Sequence, residues 1–268
     1  MKSELLNFVK NGIVNEKRGE NMLFSEITPT RNFNLLYIIL DSIFILVLIG
    51  LLIAKKKYIT TLWALFGGVL YFIVDYGYFY LISHSREIYI NGELQGNLKT
   101  ALILFWMSMS YGITNFAFIW LCLKKDKDLK MWLLLIIGWW LMIPSVTALG
   151  GGNNIQTYRT TNQYHTYMAI ILLIGYGGFI LYNLFTKKEK IALLKLNLIG
   201  ISVQFSWEFA LLINGIRPLN QNSFTTIVIN SLIETNLGMP YIYLIFIWIY
   251  RHFKEDLRKV EIQNASHE

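Results

Sequence analysis

Long apolar stretches alternate with short polar segments along almost the whole chain. Each stretch is long enough to cross ~30 Å of hydrocarbon as an α-helix that rises about 1.5 Å per residue. The stretches lie at 34–54, 58–83, 99–123, 131–149, 166–186, 193–213 and 225–250. The pattern therefore predicts an all-α, polytopic membrane protein with seven transmembrane helices.

The same pattern divides the chain into three parts. Residues 34–250 form the predicted seven-helix transmembrane domain, and residues 251–268 form a basic tail. Residues 1–33 are a polar tail in which the segment 3–16 places four apolar side chains on one helical face. That spacing favours a short amphipathic helix on the membrane surface, with a frayed tail as the alternative.

The composition excludes a soluble globular domain. Hydrophobic residues make up 54% of the chain and charged residues only 15%, whereas soluble domains carry roughly 25% charged residues. The formal net charge is +7, but the basic residues lie in the short connections between apolar stretches. We therefore expect the lipid bilayer as a partner and no nucleic acid. Either a bacterial plasma membrane or the endoplasmic reticulum fits this composition, and the oligomeric state stays open.

The distribution of basic residues predicts the orientation of the helices. The connections after helices 1, 3 and 5 and the C-terminal tail hold fifteen Lys and Arg residues. The connections after helices 2, 4 and 6 hold four, namely Arg86, Lys99, Arg159 and Arg217. The positive-inside rule then puts the C-terminus in the cytoplasm and the N-terminus outside.

Two segments of the chain resemble each other. When Asp75 in helix 2 is aligned with Glu208 in helix 6, Gly67 also aligns with Gly200. The helix after each carries a Thr-Asn pair, at 114–115 in helix 3 and at 235–236 in helix 7. These matches predict a parallel 3+1+3 repeat in which helix 4 is the linker.

Four acidic residues lie inside the predicted spans, each in the half that the orientation places outside. They are Asp41, Asp75, Glu208 and Glu234. Ionisable groups in a spanning helix are costly unless they have partners, so they usually serve a function. No Lys or Arg lies in the interior of a span, so we expect these acids to lack basic partners and some of them to stay protonated. Asp75, Glu208 and Glu234 are therefore candidate catalytic acids.

Structural roles for the same acids are the alternative. Asp41 lies near the end of its span, where water can solvate it. Glu208 and Glu234 can instead hydrogen-bond to polar neighbours and hold helices together.

Aromatic and polar side chains near the acids are candidates for binding a lipophilic substrate. Aromatic faces stabilise cations by ~0.5–2 kcal/mol each, which suits a reaction through a carbocation. The candidate substrate-binding residues are Trp207, Trp106, Tyr111, Asn115, Gln204, Asn236 and Tyr71.

Several cofactor chemistries have no support in the sequence. No histidine lies at the centre of a span, and Cys122 is the only cysteine, so we expect no metal site. Helix 7 contains no lysine for a retinal Schiff base, and no phosphate-binding loop followed by lysine occurs. The expected cofactor set is therefore none.

The chain resembles the small seven-helix integral-membrane terpene cyclases of fungal meroterpenoid and indole-diterpene pathways. Those proteins carry a catalytic Glu in helix 2, after a Trp, and a catalytic Asp in helix 7, after a Val. The counterparts in helical order are Asp75 and Glu234, while the Trp-Glu pair itself occurs at Trp207-Glu208 in helix 6. The resemblance implies protonation of an epoxide or alkene on a prenylated substrate, followed by ring closure without a cofactor.

The resulting hypothesis is an acid-catalysed membrane cyclase or isomerase, and two alternatives remain. A 3+1+3 arrangement is also typical of small-solute transporters such as the sugar-carrying SWEET family, but the hinge prolines and Pro-Gln pair of that family are missing. The third class is a non-catalytic sensor or immunity protein that uses the acids to hold its helices together.

Overall fold

The computed structural model describes residues 31–252, except 149, 151, 153, 160, 161, 188 and 219–222. The predicted surface helix at 3–16 and most of the basic tail lie outside the described residues. Within them the protein is mostly helical. The helices are α1 (Leu35–Ala54), α2 (Tyr58–Phe72), α3 (Asn97–Lys124), α4 (Leu129–Thr147), α5 (Asn162–Phe185), α6 (Leu193–Ile213), α7 (Ser223–Ile233) and α8 (Met239–His252).

Seven helical segments are long and apolar enough to cross a membrane, which confirms this part of the prediction. Five of them are single α-helices. The second segment continues from α2 into a π-helix, Ile73–Ile82, and the seventh is α7 and α8 joined by a 3₁₀ turn, Asn236–Gly238. These two departures from regular α-helix both lie next to a predicted catalytic acid.

Helix α3 lies at the centre of the bundle. In its most apolar stretch 83% of the residues are buried inside the protein, against 6% in that of α5. The described residues of α5 are almost all exposed or half-buried, so this helix lies at the periphery of the bundle.

Glycines bring α2 and α3 into close contact. A Cβ atom on Gly67 would lie 2.7 Å from the carbonyl oxygen of Gly112, and one on Gly112 would overlap the backbone of Gly67. Small residues allow two helix backbones to approach in this way inside a membrane. A similar contact occurs between Gly200 of α6 and the Asn236 side chain in the seventh segment.

A small antiparallel sheet closes one end of the bundle, which the all-α prediction did not include. Its strands are β1 (Arg31–Phe33), β2 (Arg86–Ile90), β3 (Glu93–Leu94) and β4 (Ile155–Arg159), in the order β1-β4-β2-β3. We call this end of the molecule the sheet end. The opposite end, which carries the lysine-rich connections, we call the lysine end.

One face of the sheet is buried and the other is open. In β2, Arg86 and Ile88 are buried whereas Glu87 is exposed. This alternation follows from the pleat, which points successive side chains to opposite faces. Every second residue of β1, β2 and β4 is therefore directed toward the helices.

Candidate functional site

The four intramembrane acids all lie toward the sheet end. Asp41, Asp75 and Glu208 are 1%, 5% and 0% exposed, and Glu234 is partly buried. The interpretation of Asp41 as a solvated residue near a helix end is therefore wrong. Ser110 and Trp106 of the central helix α3 interact with its carboxyl group.

Three of the acids have arginine partners, so the expectation that the acids lack basic partners is wrong for Asp75, Glu208 and Glu234. The arginines do not come from the spans. They come from strands β1, β2 and β4 and from the loop after α6, and their side chains extend from the sheet end to the buried carboxylates. The partners are Arg31, Arg86, Arg159 and Arg217.

Glu208 of α6 is bound by two arginines. Its Oε1 atom accepts a hydrogen bond from Arg31 at 2.6 Å, and its Oε2 atom accepts one from the Nε–H of Arg217 at 2.9 Å. The amide of Gln204, one turn earlier, also donates to Oε1 at 3.3 Å, and the Gln204 oxygen accepts from Thr235 at 2.7 Å. Glu208 therefore ties β1, α6 and the turn after α7 together.

Asp75 lies in the first turn of the π-helix. Its Oδ1 atom accepts a hydrogen bond from Arg86 at 2.6 Å, and its Oδ2 atom accepts one from the Ser108 hydroxyl of α3 at 3.3 Å. π-Helical segments are rare and occur frequently at functional sites. Here the segment brings an acid of the second span to an arginine only eleven positions further along the chain.

Glu234 lies where the seventh segment is interrupted. It follows directly after α7, and its Oε1 atom accepts a hydrogen bond from Arg159 of β4. Its side chain and that of Arg159 are 13% and 14% exposed, so this ion pair is less enclosed than those of Asp75 and Glu208. Tyr71 interacts with both Asp75 and Glu234, and His165 interacts with Glu234.

The register of the sheet links the ion pairs to each other. Arg86 and Arg159 are directly opposite residues of β2 and β4, and Arg31 of β1 is opposite Thr157. Like charges at opposite positions destabilise a sheet. The carboxylates of Asp75 and Glu234 offset that repulsion, so the sheet and the acids depend on each other.

The two most enclosed sheet arginines differ in their electrostatic surroundings. Burial lowers the pKa of Arg31, but Glu208, Tyr111 and Glu234 together outweigh this effect and hold the pKa above its ordinary value. Burial also lowers the pKa of Arg86, and the nearby Arg159 adds to this effect. Asp75 offsets it only in part, so the pKa of Arg86 stays below its ordinary value.

Asp41 is different from the other three acids because it takes part in no ion pair within the described residues. The hydroxyl of Ser110 and the indole of Trp106 interact with its carboxyl group. Its Oδ2 atom is nevertheless buried without a hydrogen-bond partner. Asp41 is therefore a carboxyl group in apolar and neutral surroundings.

Other buried polar atoms near Asp41 also lack partners among the described residues. They are Tyr37 Oη and Arg31 Nε. Tyr37 interacts with both Asp41 and Arg31, and its ring lies 5.9 Å from that of Trp106. Buried polar groups are nearly always hydrogen-bonded, so these atoms without partners set the region around Asp41 apart from the three arginine-bound acids.

Aromatic rings form one side of this region. Trp106 contacts Phe33 and Tyr37 edge to face at 5.2 and 5.9 Å, and Tyr111 contacts Trp207 in the same way at 4.7 Å. The Tyr111 hydroxyl also accepts a hydrogen bond from Arg31 at 2.9 Å. The predicted substrate-binding residues Trp106, Tyr111 and Trp207 therefore lie between Asp41 and Glu208.

The other predicted substrate-binding residues lie elsewhere around the acids. Gln204 donates a hydrogen bond to Glu208. Asn115 forms a hydrogen bond with Tyr71, which in turn interacts with Asp75 and Glu234. Asn236 packs on Gly200 and donates to the Ser231 carbonyl oxygen at 3.2 Å. These three side chains are used in contacts within the protein.

The arginines that bind the acids do not stand out in the sequence as candidate site residues. The distribution of arginine and lysine nevertheless contains a signal. Among the described residues, the basic residues of the sheet end are arginines except for Lys99, whereas those of the lysine end are lysines except for Arg251. Arginine forms planar, multiple hydrogen bonds with carboxylates and is the residue best suited to buried ion pairs. A cluster of arginines beside membrane-embedded acids thus predicts pairing.

No known protein family, curated protein or solved structure matches the chain.

Proposed function

We propose that the protein is a membrane-embedded cyclase or isomerase that protonates a lipophilic prenyl or terpenoid substrate, with Asp41 as the proton donor. The observation that carries this proposal is the pairing of the other three acids with arginine, whereas Asp41 forms no ion pair with any residue that the structure describes. An uncompensated carboxylate is costly in a membrane interior, so a carboxyl group in such surroundings keeps its proton.

The aromatic residues suit the cation that such a reaction forms. Proton transfer from Asp41 to an alkene or epoxide gives a carbocation or an opened epoxide, and an alkene of the same substrate molecule then attacks to close a ring. The faces of Trp106 and Tyr111 would stabilise the positive charge. Loss of a proton to the Asp41 carboxylate ends the reaction and restores the acid, so the product has the mass of the substrate and no cofactor is consumed.

The arginine-bound acids take a different role in this proposal. An arginine stabilises the ionised form of a carboxyl group, which makes Asp75, Glu208 and Glu234 poor proton donors. They instead hold the sheet over the site and keep the arginines directed into the bundle. Glu208 is a positioning residue, because it fixes Arg31 and through it the Tyr111 hydroxyl.

The lysine distribution supports an orientation for the site. We infer that the lysine end faces the cytoplasm and the sheet end lies outside, so that a substrate reaches Asp41 from the outer half of the bilayer. The parallel 3+1+3 repeat also stays a proposal. The aligned residues Gly67 and Gly200 both make close helix contacts, which supports it.

The test is mass spectrometry of lipophilic extracts from a host that makes prenylated precursors. The host expresses the wild type, Asp41→Asn, Asp41→Glu or Glu93→Gln at matched membrane levels. Glu93 is an exposed acid of β3 and serves as the control. We expect an isomer of unchanged mass and shifted retention time with the wild type and Glu93→Gln, its loss with Asp41→Asn, and partial recovery with Asp41→Glu.

Two results would contradict the proposal in different ways. If Asp41→Asn still gives the isomer while Glu208→Gln, folded and present in the membrane, does not, the proton donor is misassigned. If every extract matches the empty-vector control, the catalytic proposal itself fails.

A proton-coupled transporter is the second candidate, and the interrupted seventh segment favours it. Breaks in spanning helices often lie at the binding sites of transporters, and the partly exposed Glu234–Arg159 pair lies at this break. Liposomes loaded with a pH-sensitive dye would report proton movement when a sugar such as glucose is added outside. A signal that Glu234→Gln abolishes would favour transport over catalysis.

A further inference from the structure

A groove at the lysine end is lined by none of the four acids or their arginine partners and has no part in the proposed reaction. It has a volume of about 350 Å³ and lies between the end of α3 and the beginnings of α4 and α6. Phe118, Cys122 and Ile199 form its floor and are 3%, 9% and 8% exposed. Leu194 and Leu198 form its rim and are 73% and 52% exposed, so the groove opens sideways toward lipid.

One basic residue stands at this apolar groove. Lys195, the third residue of α6, contributes to the lining, and its ammonium interacts electrostatically with the Cys122 thiol on the floor. No ion pair within the described part of the chain includes Lys195. A lysine near a helix end directs its ammonium group toward the membrane–water interface, where the phosphates of lipids lie.

The charge around the groove favours an anionic occupant. The described residues of the lysine end include eleven Lys and Arg against three acids, Asp126, Asp128 and Glu189. Asp126 is already paired with Lys57. Basic pockets between transmembrane helices bind anionic lipid headgroups.

The size of the groove favours a flexible chain over a protein helix. A helix with its side chains is about 10 Å or more in diameter, whereas an acyl chain is much narrower. A single hydrocarbon chain can therefore lie along the exposed Leu194 and Leu198.

We propose that this groove is a binding site for an anionic phospholipid, whose acyl chain lies on Phe118, Cys122 and Ile199 and whose phosphate pairs with Lys195. The site is independent of the proposed catalytic function.

The single cysteine of the chain provides the test, because Cys122 lies on the floor of the groove. The full-length protein is placed in nanodiscs of phosphatidylcholine alone or of phosphatidylcholine and phosphatidylglycerol in equal parts. The rate of labelling by a membrane-permeant maleimide is then measured. We expect labelling to be about fivefold slower with phosphatidylglycerol, the factor that corresponds to one basic residue near an anionic surface.

Two variants separate a specific site from the general effect of a charged bilayer. Lys195→Gln removes the proposed phosphate partner and should label at nearly the same rate in both nanodiscs. Lys187→Gln, which removes an exposed lysine of the same end that does not line the groove, should keep the wild-type difference. Equal rates for the wild type in both nanodiscs, or a difference that survives Lys195→Gln, would overturn the proposal.

Native mass spectrometry gives a second readout that does not depend on thiol reactivity. The wild type and Lys187→Gln should retain phosphatidylglycerol on release from detergent, and Lys195→Gln should not. Retention of phosphatidylcholine to the same extent as phosphatidylglycerol would contradict the role of Lys195.

Discussion

The ion pairs at the sheet end are interactions between single residues that come from distant parts of the chain. Breaking a buried ion pair is strongly destabilising because it leaves one charge without a partner, whereas replacing both partners with apolar side chains is often neutral. The enclosed pair of Asp75 and Arg86, with side chains 7% and 3% exposed, is the clearest case.

Arg86 is the cation that compensates the buried Asp75 carboxylate. Arg86→Met should lower the free energy of unfolding by about 3–5 kcal/mol, because the Asp75 carboxylate stays buried without a cation. The double variant Arg86→Met with Asp75→Leu should recover most of that loss. Thermal unfolding in detergent measures both, and a double variant as unstable as the single one would show that Arg86 contributes by other contacts.

A second prediction at the residue scale concerns Asp126 in the loop between α3 and α4. Its Oδ2 atom accepts a hydrogen bond from Lys57 at 2.5 Å, and its Oδ1 atom accepts one from the backbone N–H of Asp128 at 3.0 Å. Burial raises the pKa of Asp126, but these donors outweigh burial and hold the pKa below its ordinary value. The folded protein therefore binds the proton less well than the unfolded chain.

The sign of the pH dependence follows from this lowered pKa. The stabilisation is complete above the unfolded pKa near 3.9 and is lost as the pH falls through the lower folded value. Between pH 6 and about pH 3, the wild type should therefore lose more stability than Asp126→Asn, which has no proton to bind. Unfolding temperatures measured across this range test the difference, and parallel curves would show that Asp126 does not contribute.

At the scale of elements, the close contact of α2 with α3 determines how the second span meets the central helix. Gly112→Ala should be strongly destabilising, because its Cβ would overlap the backbone of Gly67, which cannot move without shifting a whole helix. Gly138→Ala in α4 is the matched control, since a Cβ there meets nothing within 4 Å. That control should be neutral or stabilising by up to about 1 kcal/mol through helix propensity.

The comparison of these two glycine variants is made by thermal unfolding of purified protein. Equal effects of Gly112→Ala and Gly138→Ala would mean that α2 and α3 separate without cost.

At the scale of the whole molecule, the uneven distribution of lysine predicts which end faces which compartment. In a Cys122→Ser background, Glu93→Cys should react with a membrane-impermeant maleimide in intact cells, because β3 lies at the sheet end. Lys187→Cys at the lysine end should react only after the membrane is opened. The reverse pattern would invert the proposed orientation and place Asp41 in the inner half of the bilayer.

The number and positions of the membrane-crossing segments were set by the sequence itself. A run of about 20 apolar residues is stable in a bilayer as a helix whatever its neighbours are, so the spans near 34–54 and 193–213 could be predicted from local composition. The acids at 41, 75, 208 and 234 were visible for the same reason, since each interrupts an apolar run.

Only the tertiary structure decided what those acids do. Arg31 and Glu208 are 177 positions apart, and nothing local to either residue reveals the pairing that the sheet register produces. The π-helix places Asp75 beside Arg86 of β2, and the break in the seventh segment places Glu234 beside Arg159 of β4. Both partners lie on other elements. Asp41 differs for the converse reason, because none of the arginines in the described part of the chain forms an ion pair with it. The arrangement of the strands thus determines which of the four carboxyl groups receive an arginine.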